Sequence, residues 1–196
     1  MMENRKLKPI VIFTGPSGVG KGTIEKFLFA YDNLKLAFSV SVTTRAPRQG
    51  EINGVNYFFV TKEDFKNKIA NDELLEYNFH FDNYYGTLYK EIEKIHAEGN
   101  IPFLEIETQG AKKILSIPNI RNKFNIITFF VLPPSFAELE KRMLNRNTED
   151  DEAIKLRLIK AKEELKEKDI FDYHIVNDIP EEAANEIKNI ILKEIN

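Results

Sequence analysis

The residues that most constrain this chain are Gly15-Pro16-Ser17-Gly18-Val19-Gly20-Lys21, set directly behind the apolar run Ile10-Val11-Ile12-Phe13. An apolar run, a glycine-rich loop and then a helical pattern form the strand–loop–helix context of a phosphate-binding loop. Glycines allow successive backbone N–H groups to curl around phosphate oxygens, and the helix N-terminus behind them adds a partial positive charge. Lys21 adds a full charge for β- and γ-phosphates. A chain of this composition produces the Gly-x4-Gly-Lys spacing by chance only about 0.04 times, which makes a bare glycine turn the minor reading. The expected ligand is a nucleotide, bound through Gly15, Pro16, Ser17, Gly18, Val19, Gly20, Lys21, Gly22 and Thr23. Position 22 is unusual: it is glycine where a serine or threonine hydroxyl ordinarily meets Mg²⁺, with Thr23 one step later. Mg²⁺ is still expected, held mainly by phosphates and water, since it commonly takes only one or two protein ligands. No residue is assigned as its direct ligand.

A length of 196 residues suits one compact core with small inserted lobes. The formal charge of −3 gives no general field for nucleic acid, so any anion site has to be built locally. With no cysteine there is no disulfide, thiol catalysis or Cys-based zinc site. No apolar stretch approaches membrane-spanning length and no leader pattern precedes the first strand, so a cytoplasmic protein without a membrane partner is expected.

Strand-length apolar runs at Ile10–Thr14, Ala37–Val42, Ile101–Ile106, Ile126–Val131 and Tyr173–Val176 alternate with helical patterns. The helices are expected at Thr23–Ala30, Thr108–Leu115, Ser135–Arg146, Asp150–Lys168 and Pro180–Ile195. Ser135-x-x-Glu138 reads as a capping box and Thr148 as an N-cap. Near-continuous apolar strands interleaved with helices predict an α/β fold whose parallel sheet is covered on both faces. From about Thr43 to Tyr89 the rhythm breaks. A turn-rich loop, the aromatic run Tyr57-Phe58-Phe59-Val60, a short helix capped by Thr61 and a strand over Leu74–Phe81 predict a small antiparallel lobe inserted into the core.

Lysine is used freely here (21 residues) and arginine sparingly (7), yet five arginines fall into two groups. Arg45 and Arg48 form the first; Arg142, Arg146 and Arg157 form the second. Arg142 and Arg146 are four apart on one predicted helix and share a face. Arginine clamps phosphate in two-pronged fashion, so the first group is expected on a substrate phosphate and the second over the donor phosphates. Glu105 and Glu107 alternate along one strand and are expected to point together toward its C-terminal end, where open α/β sheets bind ligands. His80, His96 and His174 show no pairing pattern and are read as structural or exposed.

Taken together, these segments resemble the guanylate kinases. The resemblance rests on the glycine-rich loop, on Ser39-Val40-Ser41-Val42-Thr43-Thr44-Arg45-x-Pro47-Arg48-x-Gly50-Glu51-x-Asn53-Gly54-x-x-Tyr57, and on Asn83-Tyr84-Tyr85-Gly86-Thr87. Leu104-Glu105-Ile106-Glu107-x-Gln109-Gly110, Pro133-Pro134-Ser135, Arg142-x-x-x-Arg146 and Val176-Asn177-Asp178 continue it along nearly the whole chain. It implies one domain over 1–196, with core segments 1–40, 91–133 and 169–196, a GMP-binding lobe over 41–90 and a lid over 134–168. It implies an ATP:GMP phosphotransferase, accepting dGMP as well, acting as a monomer with no obligate protein partner. Arg45, Arg48, Tyr57 and Tyr85 would hold the acceptor phosphate, and Glu76, Ser41 and Thr87 would read guanine. Glu51, Gly86, Glu105, Glu107 and Arg157 complete the acceptor side; Arg142, Arg146 and Asn177 join the ATP side. Lys21, Arg45, Arg142, Arg146 and Arg157 would carry catalysis. Guanine presents N1–H and its exocyclic NH₂ side by side, and a carboxylate such as Glu76 accepts both, whereas adenine offers an acceptor at N1. The sequence departs from the family at Thr87, where serine is expected, and at Glu107, where aspartate is expected. Between Pro118 and Pro133 it also runs longer, which is read as a surface-loop change. A silent phosphopeptide-binding module of the same fold and a kinase for another nucleoside monophosphate are the alternatives.

Overall fold

The computed structural model of the chain describes residues 7–80, 82–144 and 151–196. Strand β1 (Lys8–Thr14) carries Ile10, Val11, Ile12 and Phe13 with almost no exposed surface. A strand buried on both faces must be covered twice, and side-chain alternation divides the work. Val11 and Phe13 pack with Ile24 and Leu28 of α1 (Lys21–Leu28) and with Ile187 and Ile191 of α8 (Pro180–Ile195). Ile10 and Ile12 pack on the other side with Ile92 of α3 (Tyr89–Ala97) and Ile114 of α4 (Thr108–Ser116). At about 1.5–3 kcal/mol for each fully buried large apolar side chain, these two layers dominate the stability of the core.

The core sheet has the order β2 (Leu36–Phe38), β7 (Ile101–Glu105), β1, β8 (Phe124–Leu132), β9 (Tyr173–Val176). Every pairing in it is parallel, as the interleaved pattern predicts. The run Ala37–Val42 is divided, however. Its first part is β2, and the chain then leaves the core over 39–41 and joins a second sheet as β3 (Val42–Thr43).

That second sheet has the order β4 (Phe58–Phe59), β3, β6 (Asn83–Leu88), β5 (Leu74–His80). β3–β6 and β6–β5 are antiparallel as expected, while β4 lies parallel to β3 at the edge. The long loop between β3 and β4 explains the exception, because a parallel neighbour needs a crossover that a tight hairpin cannot provide. Helix α2 (Lys62–Ala70) packs Phe65 against Val42 and Leu88. Thr61 caps it as expected: its Oγ1 accepts from the Asp64 N–H at 3.0 Å, and Asp64 reaches back to the Thr61 N–H.

The stretch from Pro118 to Pro133, read as a surface-loop change, holds regular structure. It forms the single turn α5 (Ile120–Lys123) and β8, burying Ile120 and Phe124 while Pro118, Asn119 and 121–123 stay exposed. Helix α6 (Phe136–Leu144) begins where Ser135 Oγ accepts from the Glu138 N–H at 3.1 Å, and α7 (Asp151–Lys166) follows. Arg146 and Thr148 lie outside the described residues.

Candidate active site

The glycine-rich loop joins β1 to α1 at the C-terminal edge of the parallel sheet. Gly20 ends the loop with φ 98°, and a Cβ there would collide with the side-chain amide of Asn177. That amide donates to the Val19 carbonyl at 2.7 Å, and the Asn177 N–H donates to the Leu132 carbonyl. Arg142 donates to the carbonyls of Asn177 and Val19 and to Glu138. Asn177 is thus buried beneath the loop as a support, and Arg142 braces the loop backbone from α6. The lysine points back along the loop, with Lys21 Nζ donating to the Gly15 carbonyl at 2.9 Å.

Facing the loop is a cavity of about 260 Å³ whose walls include Gly15, Ser17, Lys21, Arg157 and Lys160. The Arg157 guanidinium donates to Ser17 Oγ, and Lys160 Nζ donates to both Glu107 oxygens at 3.2 and 3.3 Å. α7 therefore reaches across this cavity to both of its sides. Of the second arginine group, Arg157 faces the phosphate loop from the front and Arg142 holds it from behind.

A second cavity, of about 360 Å³, lies against the lobe and is lined by Ser41, Arg45, Arg48, Glu51, Tyr57, Glu76, Tyr85, Gly86, Glu105 and Glu107, every one of them an expected acceptor residue. Tyr57, Glu105, Ile106 and Glu107 also wall the loop-side cavity, so the two spaces share a partition. Arg45 makes a two-pronged pair with Glu51 (2.9 and 2.8 Å) and lies 5.4 Å from the Tyr57 ring centre. Those bonds from Arg45, with the Arg48 N–H, hold the Glu51 carboxyl down at about 2. Burial pushes the Tyr57 hydroxyl up.

Glu76 is buried, and desolvation raises its carboxyl above the ordinary value, opposed by the Thr87 hydrogen bond. Thr87 Oγ1 donates to Glu76 Oε1 at 2.8 Å. Thr87 therefore stands behind the carboxylate, with 1% of its surface exposed, and is not on the cavity wall. Glu107 also departs from expectation. β7 ends at Glu105, and the chain has turned by Glu107, which holds the N-cap position of α4. The shared cleft survives the change, because both carboxylates still line both cavities.

Sequence reasoning missed three polar or glycine residues of the lobe-side cavity, besides the apolar Ile106. Asn78 and His80 follow Glu76 at a spacing of two along β5, so strand alternation carries all three to one wall. His80 is thereby a site residue, its Nε2 3.8 Å from Glu107 Oε1. Gly110 is the third: a Cβ there would lie 2.9 Å from Glu76 Oε2. Glu25, one turn beyond Gly22, was not read as a site residue either. It is buried within reach of Glu105, and burial and that neighbour push its carboxyl up to about 8, with Lys21 opposing.

The guanylate kinase family model matches residues 6–194. The chain belongs to the guanylate kinase family. Among curated guanylate kinases it is 57% identical to that of Mycoplasmopsis pulmonis, over 98% of either chain. It is 44% identical to that of Bacillus subtilis, over 94% of this chain and 88% of the relative. Among solved structures, the guanylate kinase of Anaplasma phagocytophilum superposes with a TM-score of 0.74 at 33% identity, covering 96% of this chain and 87% of that one. The SH3-kinase fragment of tight junction protein 3 shares the fold alone, with a TM-score of 0.53 at 11% identity over 61% of its length. Within the guanylate kinase fold, the family's motifs fall on the loop, the lobe and the partition between the two cavities.

Proposed function

We propose that this chain transfers the γ-phosphoryl group of ATP to GMP, and to dGMP, giving ADP and GDP in purine nucleotide metabolism. The observation that carries the proposal is the pairing of two cavities across one partition. One cavity holds a glycine-rich loop with its lysine; the other holds a buried carboxylate and two arginines. Family membership and the close curated relatives support the same activity.

In this reading ATP lies along 15–23, and Lys21 leaves the Gly15 carbonyl for the β- and γ-phosphates. GMP occupies the lobe-side cavity with its base on Glu76 and Ser41 and its phosphate on Arg45, Arg48, Tyr57 and Tyr85. Thr87 fixes the orientation of Glu76, so that both carboxylate oxygens face the guanine N–H groups. The acceptor phosphate is already ionised at neutral pH, so no general base is needed. Positioning and charge neutralisation supply the catalysis. The α6–α7 segment acts as the lid, with Arg157 facing the phosphates and Arg142 beside the loop; Arg146, outside the described residues, is assigned to the ATP side on the family resemblance alone. Mg²⁺ accompanies ATP and neutralises phosphate charge when bound. The loop region fits such an ion, since Glu25 Oε1 is a buried hard donor without a partner. The enzyme is taken to act as a cytoplasmic monomer on free nucleotides. No helix among the described residues is long and apolar enough to cross a membrane.

The test is ADP formation from Mg-ATP with GMP, dGMP, AMP, UMP and CMP offered separately. Turnover confined to the guanine nucleotides is expected. Turnover on AMP would overturn the role given to Glu76.

A further inference from the structure

Gly22 leaves the loop without the hydroxyl that ordinarily joins phosphate-bound Mg²⁺, and one residue is placed to replace it. A helical side chain leans toward the helix N-terminus and covers the turn before its own Cα. Glu25 does this on α1: its Oε2 lies 3.9 Å from where a Cβ on Gly22 would be. Its carboxyl therefore borders the space that a serine or threonine at position 22 would fill. On the other side it comes within hydrogen-bonding reach of the Glu105 carboxylate at the end of β7. Two carboxyl groups meeting there offer hard oxygen donors of the kind a divalent cation takes. A second, independent observation points the same way: Glu25 is only 9% exposed, and its Oε1 is buried with no hydrogen-bond partner. The cavity that Glu25 and Glu105 line, about 300 Å³, also takes in Ser39, whose Oγ is buried and unpartnered. Unsatisfied buried oxygens are costly, and a divalent ion held by the Glu25 carboxylate would satisfy its Oε1.

We propose that Glu25, together with Glu105, supplies the protein side of a divalent-cation site at the donor phosphates, in place of the hydroxyl missing at Gly22. The proposal rests on the reading of 15–23 as the ATP site. Two protein carboxylates, the phosphates and water make an ordinary oxygen shell for Mg²⁺ or Mn²⁺.

The test is a Mn²⁺ titration followed by its EPR signal, on full-length protein bound to a non-hydrolysable ATP analogue. Affinity for the same analogue is measured separately in EDTA. Glu25→Gln is expected to weaken Mn²⁺ binding at least tenfold while metal-free nucleotide affinity stays within about twofold. Adding Gly22→Ser to Glu25→Gln is expected to restore most of the loss, which a merely structural role for Glu25 would not allow. If Glu25→Gln melts early, Glu105→Gln tests the same ion from the exposed strand end, with a several-fold loss expected. Unchanged Mn²⁺ affinity in a folded variant would overturn the proposal and leave the two carboxyls sharing only a proton. Failure of the wild-type protein to bind nucleotide even in EDTA would instead overturn the ATP site itself.

Discussion

Thr87 Oγ1 donates its hydrogen bond to Glu76 Oε1 at 2.8 Å, and both side chains are buried. In the proposed function the threonine acts on guanine through the carboxylate. A hydrogen bond to a charged group contributes about 1.5–3 kcal/mol, so Thr87→Val is expected to raise KM for GMP roughly tenfold or more, with a smaller effect on kcat. The pH profile separates this from simple damage. In that reading guanine binds the ionised Glu76, whose carboxyl burial has raised above its ordinary value. kcat/KM for GMP should then fall as pH drops through that raised value. Removing the Thr87 donor, which opposes the raise, should move the fall to higher pH. A profile unchanged in position would show that Thr87 does not tune Glu76.

Gly110 gives a test in which stability and specificity part. Alanine in a helix is favoured over glycine by about 1 kcal/mol, so Gly110→Ala should leave the melting temperature unchanged or raise it. Its methyl would lie 2.9 Å from Glu76 Oε2 and push the carboxylate aside. A higher KM for GMP and weaker discrimination against AMP are expected, read by steady-state kinetics beside thermal melting.

Arg45 is held by Glu51 in a two-pronged pair, a geometry that lysine cannot reproduce. Arg45→Lys should therefore recover little of what Arg45→Ala loses. Both are expected to raise KM for GMP by at least tenfold while KM for ATP stays within about twofold. Equal effects on the two substrates would contradict the assignment of Arg45 to the acceptor.

Lys21 donates to the Gly15 carbonyl in the loop, a bond that a neutral side chain can lose without unfolding the core. Lys21→Ala is expected to lower kcat by about 10²–10³, the range found when one preorganised charge-stabilising group is removed. Near-full activity would refute the phosphate-loop reading.

The strands of the core were legible because burial on both faces leaves long apolar runs, and Ile10–Phe13 could be nothing else. The glycine-rich loop and both arginine groups were legible because their chemistry lies in residue type. The division of Ala37–Val42 between two sheets was not, since a run that changes sheets keeps its strand-like composition throughout. α3 was also unread: only Ile92 and Ile95 of its length are buried apolar side chains, and Tyr89-Lys90 at its start offers no capping signal. Asn78 and His80 were legible in principle from their period-two spacing after Glu76. Gly110 was not, because what its missing side chain makes room for belongs to another element. Glu25 was hidden for a similar reason, since its partner Glu105 is far away in sequence.

Asn177 fills the space beside Gly20, ties Val19 to the end of β8 and receives Arg142 on its own carbonyl. The loop's curvature is therefore fixed by groups that belong to the fold. Ordering a flexible loop on binding would subtract from affinity, and here little ordering remains to be done. ATP capture should consequently be limited by encounter and not by loop rearrangement. Loosening the support with Asn177→Ala should then slow nucleotide association, even though Asn177 is buried and out of reach of the phosphates.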